Sequence, residues 1–290
     1  MAPISVRAPA TSANLGSGFD CLGLALDLWN EIEARVTGSG DRESDNLILQ
    51  AARAVCDQVR EPYPGFELRS TNRIPFGRGL GSSAAAIACG LLLANRWLGD
   101  ALDSPALLHL ANALEGHPDN VAPCLLGGLR VATTSDDGSV VEVRVPLALQ
   151  LRTVVFVPEH RVPTSHARGV LPSIVPMPDA LFNVARSSLL IAAVASGRAD
   201  ALAEATRDRL HQSYRLSLFP AGATLLENAM EAGALGAYTS GAGPSVLALC
   251  GDDRQADCVA AALESTAERK GIAGEVLRLS LTETGAHVVD

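Results

Sequence analysis

The feature that most constrains this chain is the glycine-rich run at residues 74–86, Ile-Pro-Phe-Gly-Arg-Gly-Leu-Gly-Ser-Ser-Ala-Ala-Ala. An apolar, alanine-rich stretch follows it directly and predicts a helix that ends near Leu98. Glycines let a backbone approach an anion closely, and the first turn of a helix offers free N–H groups at the positive end of its dipole. The run therefore predicts a phosphate-binding loop, although a turn that only caps a helix can have the same composition.

Two better-known glycine motifs do not fit this loop. The Walker form carries a lysine directly after its second glycine, whereas Lys270 is the only lysine in the whole sequence. The dinucleotide-binding fingerprint has its third glycine three positions after the second, whereas Gly81 follows Gly79 by two. Arginine side chains and a metal ion are therefore expected to balance the charge of a bound phosphate.

Composition indicates a globular protein that binds small molecules. The chain has 290 residues, 48% hydrophobic and 19% charged, which is enough for two packed domains or one large one. Its net charge of −9, without a basic cluster, argues against a nucleic-acid partner. The six cysteines lack the spacing of a zinc site or a disulfide framework. No signal peptide is recognisable, and the apolar runs 84–98 and 187–196 are interpreted as buried helices, which predicts a cytoplasmic protein without a membrane partner.

Strand and helix signals are interleaved along the chain, which predicts an α+β protein. A helix from Leu47 is preceded by the N-cap candidates Ser44, Asp45 and Asn46, and another starts with Ser104 as its N-cap and ends near Glu115. We expect two domains, residues 1–148 and 149–290, with a cleft between them. The other strands are expected at Ile4–Ala8, Leu22–Val36, Phe66–Ser70, Gly127–Thr134, Val140–Val145, Leu151–Val157, Val246–Leu249 and Glu275–Leu281, and the other helices at Pro178–Ser196, Ala199–Leu210, Gly222–Ala232 and Asp253–Lys270.

Two polar clusters outside the glycine loop are candidates for chemistry. Asn14 and Asp20 lie in a loop of small residues after the first strand, and both could equally be turn formers that satisfy local backbone groups. Residues 115–120, Glu-Gly-His-Pro-Asp-Asn, lie between apolar segments, so they line a cleft or form a solvated loop. Asp119 is the carboxylate that spacing alone suggests as a general base.

Three segments resemble, in order, the three motifs of the superfamily of galactokinases, homoserine kinases, mevalonate kinases and phosphomevalonate kinases (GHMP kinases). They are residues 9–20, 75–85 and 239–245. Residues 14–20 and 115–123 are similar to homoserine kinases in particular, and the resemblance covers nearly the whole chain. It implies an N-terminal domain like domain 2 of ribosomal protein S5, a ferredoxin-like C-terminal domain, and an active site at their junction.

The resemblance also implies an activity. The expected reaction is transfer of the γ-phosphoryl group of ATP to the side-chain hydroxyl of L-homoserine, giving O-phospho-L-homoserine on the route to threonine, with Mg²⁺ as cofactor. Phosphoryl transfer depends on positioning and on charge neutralisation, and Mg²⁺ commonly takes only one or two protein oxygen ligands. A homodimer is left open by the sequence.

Roles for individual residues follow from the same resemblance. Ser83 and Glu115 are expected to hold the metal ion and, with Asn120, to form the catalytic group, while Asp119 stays open as a base. L-homoserine is expected to contact Asn14, Asp20, His117, Asn120, Arg186, Arg215 and Gly241, with an arginine fork on its carboxylate. The nucleotide is expected to contact Asn46, Pro75, Gly77, Arg78, Gly79, Leu80, Gly81, Ser82, Ser83, Ala84 and Ala85.

Three alternatives to this activity remain from the sequence. A GHMP kinase for another small alcohol, such as mevalonate, would use the same loop without needing two arginines for a carboxylate. A non-catalytic sensor of the same fold should lack Ser83 or the metal-binding carboxylate, and this chain has both. A serine hydrolase is remote, because the sequence contains no G-x-S-x-G elbow.

Overall fold

Two antiparallel sheets organise the chain in the computed structural model, which describes residues 3–38 and 45–289. In the first sheet the order is β10-β1-β2-β4-β5, and β3 pairs with the second half of β2. The sheet therefore includes the last strand of the chain beside the first. These strands are β1 (Ile4–Ala13), β2 (Leu22–Val36), β3 (Phe66–Thr71), β4 (Leu129–Thr134), β5 (Val140–Val145) and β10 (His287–Val289).

Strand β2 shows how the sequence pattern is used. Ile32 and Ala34 are buried, whereas Glu31 and Glu33 point to the other face and are partly exposed, as the period of two requires. The first five residues of the same strand are all buried. The helix Pro118–Leu126 and the strand Gly274–Ser280 pack against β2, so this half of it has no solvent face.

The second sheet has the order β7-β8-β6-β9. Its strands are β6 (Arg152–Pro158), β7 (Gly236–Thr239), β8 (Val246–Cys250) and β9 (Gly274–Ser280). Helical segments connect β6 to β7 and β8 to β9, which is the β-α-β-β-α-β succession of a ferredoxin-like domain. The expected two-domain α+β architecture is confirmed.

The helices of the first domain lie between β2 and β4 in the chain, and those of the second follow β6. The first group comprises α1 (Leu47–Val59), α2 (Ser82–Trp97), α3 (Ser104–Glu115) and α4 (Pro118–Leu126). The second group comprises α5 (Thr164–Gly169), α6 (Met177–Ser196), α7 (Leu202–Ala205), α8 (Gln212–Arg215), α9 (Ala221–Glu231) and α10 (Asp253–Lys270).

One hydrophobic core joins the two domains. It contains Leu22 and Leu26 from β2 and Leu91 from α2, and it continues into Val155 of β6 and Leu247 of β8. A second, smaller core lies between the second sheet and helices α9 and α10. Because the larger core spans both sheets, the cleft between the domains has packed walls.

Helix α6 is exposed on one side, whereas residues 187–196 were expected to be buried. Leu190, Ala193 and Val194 of that run are buried, but Leu189 is exposed, as are Leu181 and Val184 in the preceding turns of the helix. Within the described part of the chain, α6 is the one helix long and apolar enough to cross a membrane, a criterion of length and composition that helices of soluble proteins also meet.

Several sequence-based boundaries differ from the structure for local reasons. Helix α3 takes Asp103 as its N-cap instead of Ser104, because the Asp103 carboxylate accepts a hydrogen bond from the N–H of Ala106 at 3.0 Å. The helix expected at Ala199–Leu210 is wrong: it is a 3-10 turn followed by the short α7, and the Asp208 carboxylate then accepts the backbone N–H groups of His211 and Gln212 at the start of α8. Of the N-cap candidates before α1, Asn46 is the cap, and Ser44 lies outside the described residues.

Candidate active site

The three glycine-containing motifs meet at one end of the cleft between the domains. Ser240 donates a hydrogen bond from its hydroxyl to the carbonyl of Gly79 at 2.6 Å, and its Oγ lies 2.8 Å from Oγ of Ser12. Asn14 donates from Nδ2 to the carbonyl of Gly241 at 2.8 Å. Segments more than 200 residues apart in the chain therefore form one continuous wall.

Two glycines of the second motif are required by close packing against this wall. A Cβ atom on Gly79 would lie 2.1 Å from the carbonyl oxygen of Ser240, and one on Gly81 would lie 1.9 Å from Oγ1 of Thr11. Both residues also have positive φ, where L side chains are disfavoured. Gly81 is the N-cap of α2 and has no side-chain cap among the described residues, so the first turn of α2 faces the cleft with its backbone donors.

The cleft brings together most of the residues that the sequence singled out for phosphate, metal and substrate. It is polar, and its walls come from both domains. The lining residues are Asn14, Asp20, Gly77, Gly79, Gly81, Ser82, Ser83, Glu115, His117, Asp119, Asn120, Val162, Thr164, Arg168, Arg215, Gly241 and Ala242.

Ser83 and Glu115 form a direct pair in this cleft. The Ser83 hydroxyl donates to Oε2 of Glu115 at 2.7 Å, from the first turn of α2 to the last residue of α3. Burial raises the pKa of Glu115, and the hydrogen bond from Ser83 partly offsets this. A hydroxyl and a carboxylate are hard oxygen ligands, so the pair fits Mg²⁺. The described residues contain no group of three or more His, Cys, Asp and Glu side chains arranged as a metal site, so phosphate and water oxygens would complete the coordination.

Residues 117–120 form the start of α4, where a loop was considered from the sequence. Nδ1 of His117 donates to Oδ1 of Asp119 at 2.6 Å, and Nδ2 of Asn120 donates to the same oxygen at 3.3 Å. Oδ1 of Asn120 accepts from the hydroxyl of Thr11 at 2.7 Å. Burial alone lowers the pKa of His117, but the hydrogen bond and the charge of Asp119 outweigh it and raise the net pKa. The Asp119 carboxylate therefore fixes the orientation of the imidazole, whose Nε2 is left for the cleft.

A second charged pair lies across the cleft. Arg168 donates from both terminal nitrogens to the two carboxylate oxygens of Asp20, at 2.8 and 2.9 Å. Asp20 in turn donates its backbone N–H to Oδ1 of Asn14 at 2.9 Å. Arg215, which is 4% exposed, lies at the same end of the cleft with its guanidinium carbon 5.1 Å from the ring centre of Phe19. Two guanidinium groups and one carboxylate thus face the space where a small polar substrate would fit.

Arg186 does not line the cleft, although the sequence placed it at the substrate. Its guanidinium stacks on the ring of Phe182 and pairs with Glu204. The structure brings Arg168 to the cleft instead, from the short helix α5. The six residues of α5 are too few for helical periodicity, so sequence analysis missed Thr164 and Arg168. The available signal was a polar Pro-Thr-Ser-His-Ala-Arg segment soon after a strand that is buried except at its first residue.

Not every residue of the second motif turns toward the cleft. The Arg78 guanidinium donates to the carbonyls of Pro158 at 2.7 Å, Glu159 at 2.8 Å and Phe76 at 3.0 Å, so it fastens the loop to the end of β6. Pro75 lines a separate surface depression beside Arg78. Leu80 and Ala84 are buried in the core. The cleft is therefore lined by the backbone of the loop and not by these side chains.

A second, more apolar pocket adjoins the first at Ser82. It lies between α1, α2 and the strand that precedes the glycine loop. Its position beside the phosphate-type loop and its apolar walls suit a flat heterocyclic base. The lining residues are Asn30, Ile32, Asn46, Leu47, Ile48, Ser70, Asn72, Phe76, Ser82, Ala85, Ala86 and Cys89.

Comparisons with known proteins show the family to which the chain belongs. The family descriptions "GHMP kinases N terminal domain" and "GHMP kinases C terminal" match residues 46–128 and 190–269. The chain is 44% identical to homoserine kinase of Moorella thermoacetica, over 98% of this chain and 99% of the relative, and 46% identical to that of Thermus thermophilus, over 87% and 89%. It is also similar to the crystal structure of homoserine kinase from Cytophaga hutchinsonii, with a TM-score of 0.91 and 28% identity over 100% and 98% of the two chains.

Proposed function

Because this chain belongs to the homoserine kinase family of the GHMP kinases, we propose that it transfers the γ-phosphoryl group of ATP to the side-chain hydroxyl of L-homoserine. The product would be O-phospho-L-homoserine, an intermediate on the route to threonine. The observation that carries the proposal is one cleft that combines a phosphate-type loop, a Ser83–Glu115 pair and two guanidinium groups, Arg168 and Arg215.

The nucleotide would occupy the two adjoining pockets that share Ser82. The base fits the apolar pocket beside Asn46 and Ala85, and the phosphates fit the backbone of residues 77–83 at the N-terminus of α2. The side chains of Arg78, Pro75, Leu80 and Ala84 would support the loop without touching the nucleotide, because they are engaged elsewhere.

Mg²⁺ would be held by Ser83 and Glu115. When bound, it would neutralise the charge that develops on the transferred phosphoryl group. The residues themselves supply an oxygen pair already in contact at 2.7 Å, which needs only a small separation to admit an ion.

L-homoserine carries a carboxylate, an ammonium and the reactive hydroxyl, and the cleft has a partner for each. Arg215 suits the carboxylate, since a guanidinium fork binds a carboxylate bidentately, and Arg168, whose own fork is on Asp20, adds positive charge beside it. Asp20 suits the ammonium, and the side-chain oxygen of Asn14 holds Asp20 in place by accepting the Asp20 backbone N–H. Gly241 contributes to the wall beside Arg215, whose Nη1 donates to the Gly241 carbonyl at 3.0 Å.

The hydroxyl would face His117 and Asn120. Both side chains are held by protein partners, Asp119 and Thr11, so they orient the acceptor without moving. Asp119 already receives two hydrogen bonds at Oδ1, which suits a residue that orients its neighbours. In this proposal the hydroxyl proton leaves to a phosphoryl oxygen, and Asp119 is not required as a base.

A kinase for mevalonate is the competing proposal within the superfamily. Mevalonate has a carboxylate but no ammonium, so it leaves Asp20 without a cationic partner other than Arg168. A non-catalytic sensor is disfavoured because Ser83 and Glu115 are both present and in contact.

We further propose that the protein acts in the cytoplasm on soluble metabolites.

The test is a substrate panel with the purified protein, ATP and Mg²⁺, in which ADP release is followed. We expect turnover with L-homoserine and almost none with mevalonate or galactose. A phosphorylated product identified by mass spectrometry would assign the acceptor. Equal rates on all three alcohols would contradict the proposal, and binding of homoserine without ADP release would favour the sensor.

A further inference from the structure

His211 is a fully buried histidine that contacts Arg215 but does not itself line the cleft. Its ring stacks on Phe19 with centroids 4.9 Å apart. Nε2 lies 2.7 Å from the carbonyl oxygen of Gly16, and Nδ1 lies 3.2 Å from Nη1 of Arg215. The imidazole therefore sits between the first motif and the arginine that faces the cleft.

These two contacts determine the protonation of the ring. A carbonyl oxygen carries no hydrogen, so Nε2 must carry the proton that bonds it to Gly16. A guanidinium nitrogen carries only donors, so Nδ1 must present its lone pair to Arg215. The ring is then the neutral Nε2–H tautomer, because an imidazolium would oppose two like charges at 3.2 Å.

The charged groups around the ring act in both directions: Arg215 opposes protonation of the imidazole, whereas the carboxylates of Asp208 and Asp20 favour it. Besides Arg215, the Asp208 carboxylate lies 3.7 Å from Nε2, and Asp20 is nearby on the first motif. The Asp208 oxygens are occupied by the backbone N–H groups of Leu210, His211 and Gln212 and by Nδ2 of Asn183. Burial, the largest influence, lowers the pKa of His211, which agrees with a neutral ring.

The contact with His211 leaves a defined edge of Arg215 for a ligand. Nη1 uses its two hydrogens on Nδ1 of His211 and the carbonyl of Gly241. Nε is buried, and among the described residues it has no acceptor. The N–H groups on Nε and Nη2 are the parallel pair that binds a carboxylate in a fork. A buried donor without a partner is costly, so this edge is arranged for an acceptor that the free protein does not supply.

We propose that His211 is a positioning residue, whose neutral imidazole holds Nη1 of Arg215 so that the Nε and Nη2 edge is presented to the carboxylate of the amino-acid substrate. The proposal rests on the proposed function, in which Arg215 binds that carboxylate. It goes beyond it by assigning carboxylate recognition to a residue outside the cleft and to one tautomer of its ring.

The test compares H211F with H211Q. Phenylalanine keeps the ring stacked on Phe19 but removes both hydrogen bonds, whereas glutamine can donate to Gly16 and accept from Arg215. We expect H211F to raise KM for L-homoserine about 10-fold to 100-fold, with KM for ATP unchanged, and H211Q to stay within about threefold. H109F is the matched control, because His109 also bonds a glycine carbonyl, that of Gly138, and does not line the cleft.

A substrate analogue separates positioning from a merely structural role. L-homoserine amide keeps the hydroxyl and the ammonium but replaces the carboxylate by a neutral carboxamide. We expect H211F to lower kcat/KM for L-homoserine strongly and kcat/KM for the amide little, since the fork no longer matters there. Equal losses for both compounds, or failure of glutamine to restore KM, would overturn the proposal.

The tautomer of His211 can also be measured in the unaltered protein, so this test does not depend on whether a variant folds. With ¹⁵N-labelled histidine, the His211 signals should report a protonated Nε2 and an unprotonated Nδ1, before and after L-homoserine is added. A protonated Nδ1 would overturn the proposal. Failure of the proposed function would look different: the unaltered protein would release no ADP with homoserine, or R215L would leave KM for homoserine unchanged.

Discussion

Ser83 and Glu115 are joined by a hydrogen bond of 2.7 Å although 32 residues separate them in the chain. The hydroxyl comes from the first turn of α2 and the carboxylate from the end of α3, so two helices converge where the phosphates would lie. If this pair holds the metal ion, its loss should affect chemistry more than nucleotide affinity.

We expect S83A and E115Q each to lower kcat by at least about 100-fold, because the ion would lose one of its few protein ligands. Circular dichroism and the unfolding temperature should change little. E227Q, on the surface of α9, is the matched control and should keep full activity. Near-native turnover in E115Q would mean that another carboxylate holds the ion.

The two arginines that face the cleft should govern affinity for the amino acid. A desolvated bidentate contact with a carboxylate contributes on the order of 2–4 kcal/mol, so R215L should lower kcat/KM for L-homoserine roughly 30-fold to 1,000-fold, whereas R168L should lower it less, because Arg168 is partly exposed and its fork is on Asp20. KM for ATP should stay within about threefold in both variants.

R186L is the informative comparison for that series. Arg186 pairs with Glu204 and stacks on Phe182 outside the cleft, so we expect its loss to leave kcat/KM for homoserine nearly unchanged. If R186L instead resembles R215L, the assignment made from the sequence is right and the cleft rearranges when substrate binds.

Arg78 should act on the substrate side of the cleft despite its place in the phosphate-type loop. Its three carbonyl contacts fasten the loop to the end of β6, from which the chain continues to Thr164 and Arg168. We expect R78M to raise KM for homoserine about tenfold and KM for ATP much less. R254M, on the exposed side of α10 and outside the cleft lining, is the control. A rise in KM for ATP alone would show direct contact with phosphate.

The buried His211 predicts a pH dependence of stability. Its pKa lies below the usual 6.5, so between these values the unfolded chain binds a proton that the folded chain does not. Its contribution to stability is therefore present above about pH 6.5 and is lost as the pH falls toward the pKa of the folded state. The pKa of His117 is raised, so its contribution to stability changes with pH in the opposite direction. His117 is present both in the unaltered protein and in the variant H211Q, so its contribution is the same in a comparison of the two.

Urea unfolding of the unaltered protein and of H211Q, from about pH 7.5 to about pH 5, measures this. We expect the free energy of unfolding of H211Q to fall less steeply with decreasing pH. Parallel curves for the two proteins would show that His211 takes up its proton equally in the folded and unfolded chains.

Local sequence signals determined much of the fold and the identity of the phosphate-type loop. Each of these signals involves residues that are close in the sequence, so it can be recognised without knowledge of tertiary contacts. Examples are the alternation in β2, the Asn46 cap before α1 and the amphipathic run of α10. The glycine spacing of residues 77–81 could be recognised for the same reason. The packing against Thr11 and Ser240 that makes these glycines necessary could not be predicted from the sequence.

Tertiary structure decided which polar residues share the cleft. Asp20 and Arg168 are 148 residues apart and pair only because the second domain docks on the first. Arg186, which the sequence predicted at the substrate, pairs with Glu204 instead. The pairing of β10 with β1 and the neutral state of His211 are likewise properties of contacts between distant segments. Sequence periodicity records the side of an element on which a residue lies, but the partner on that side is set by long-range packing.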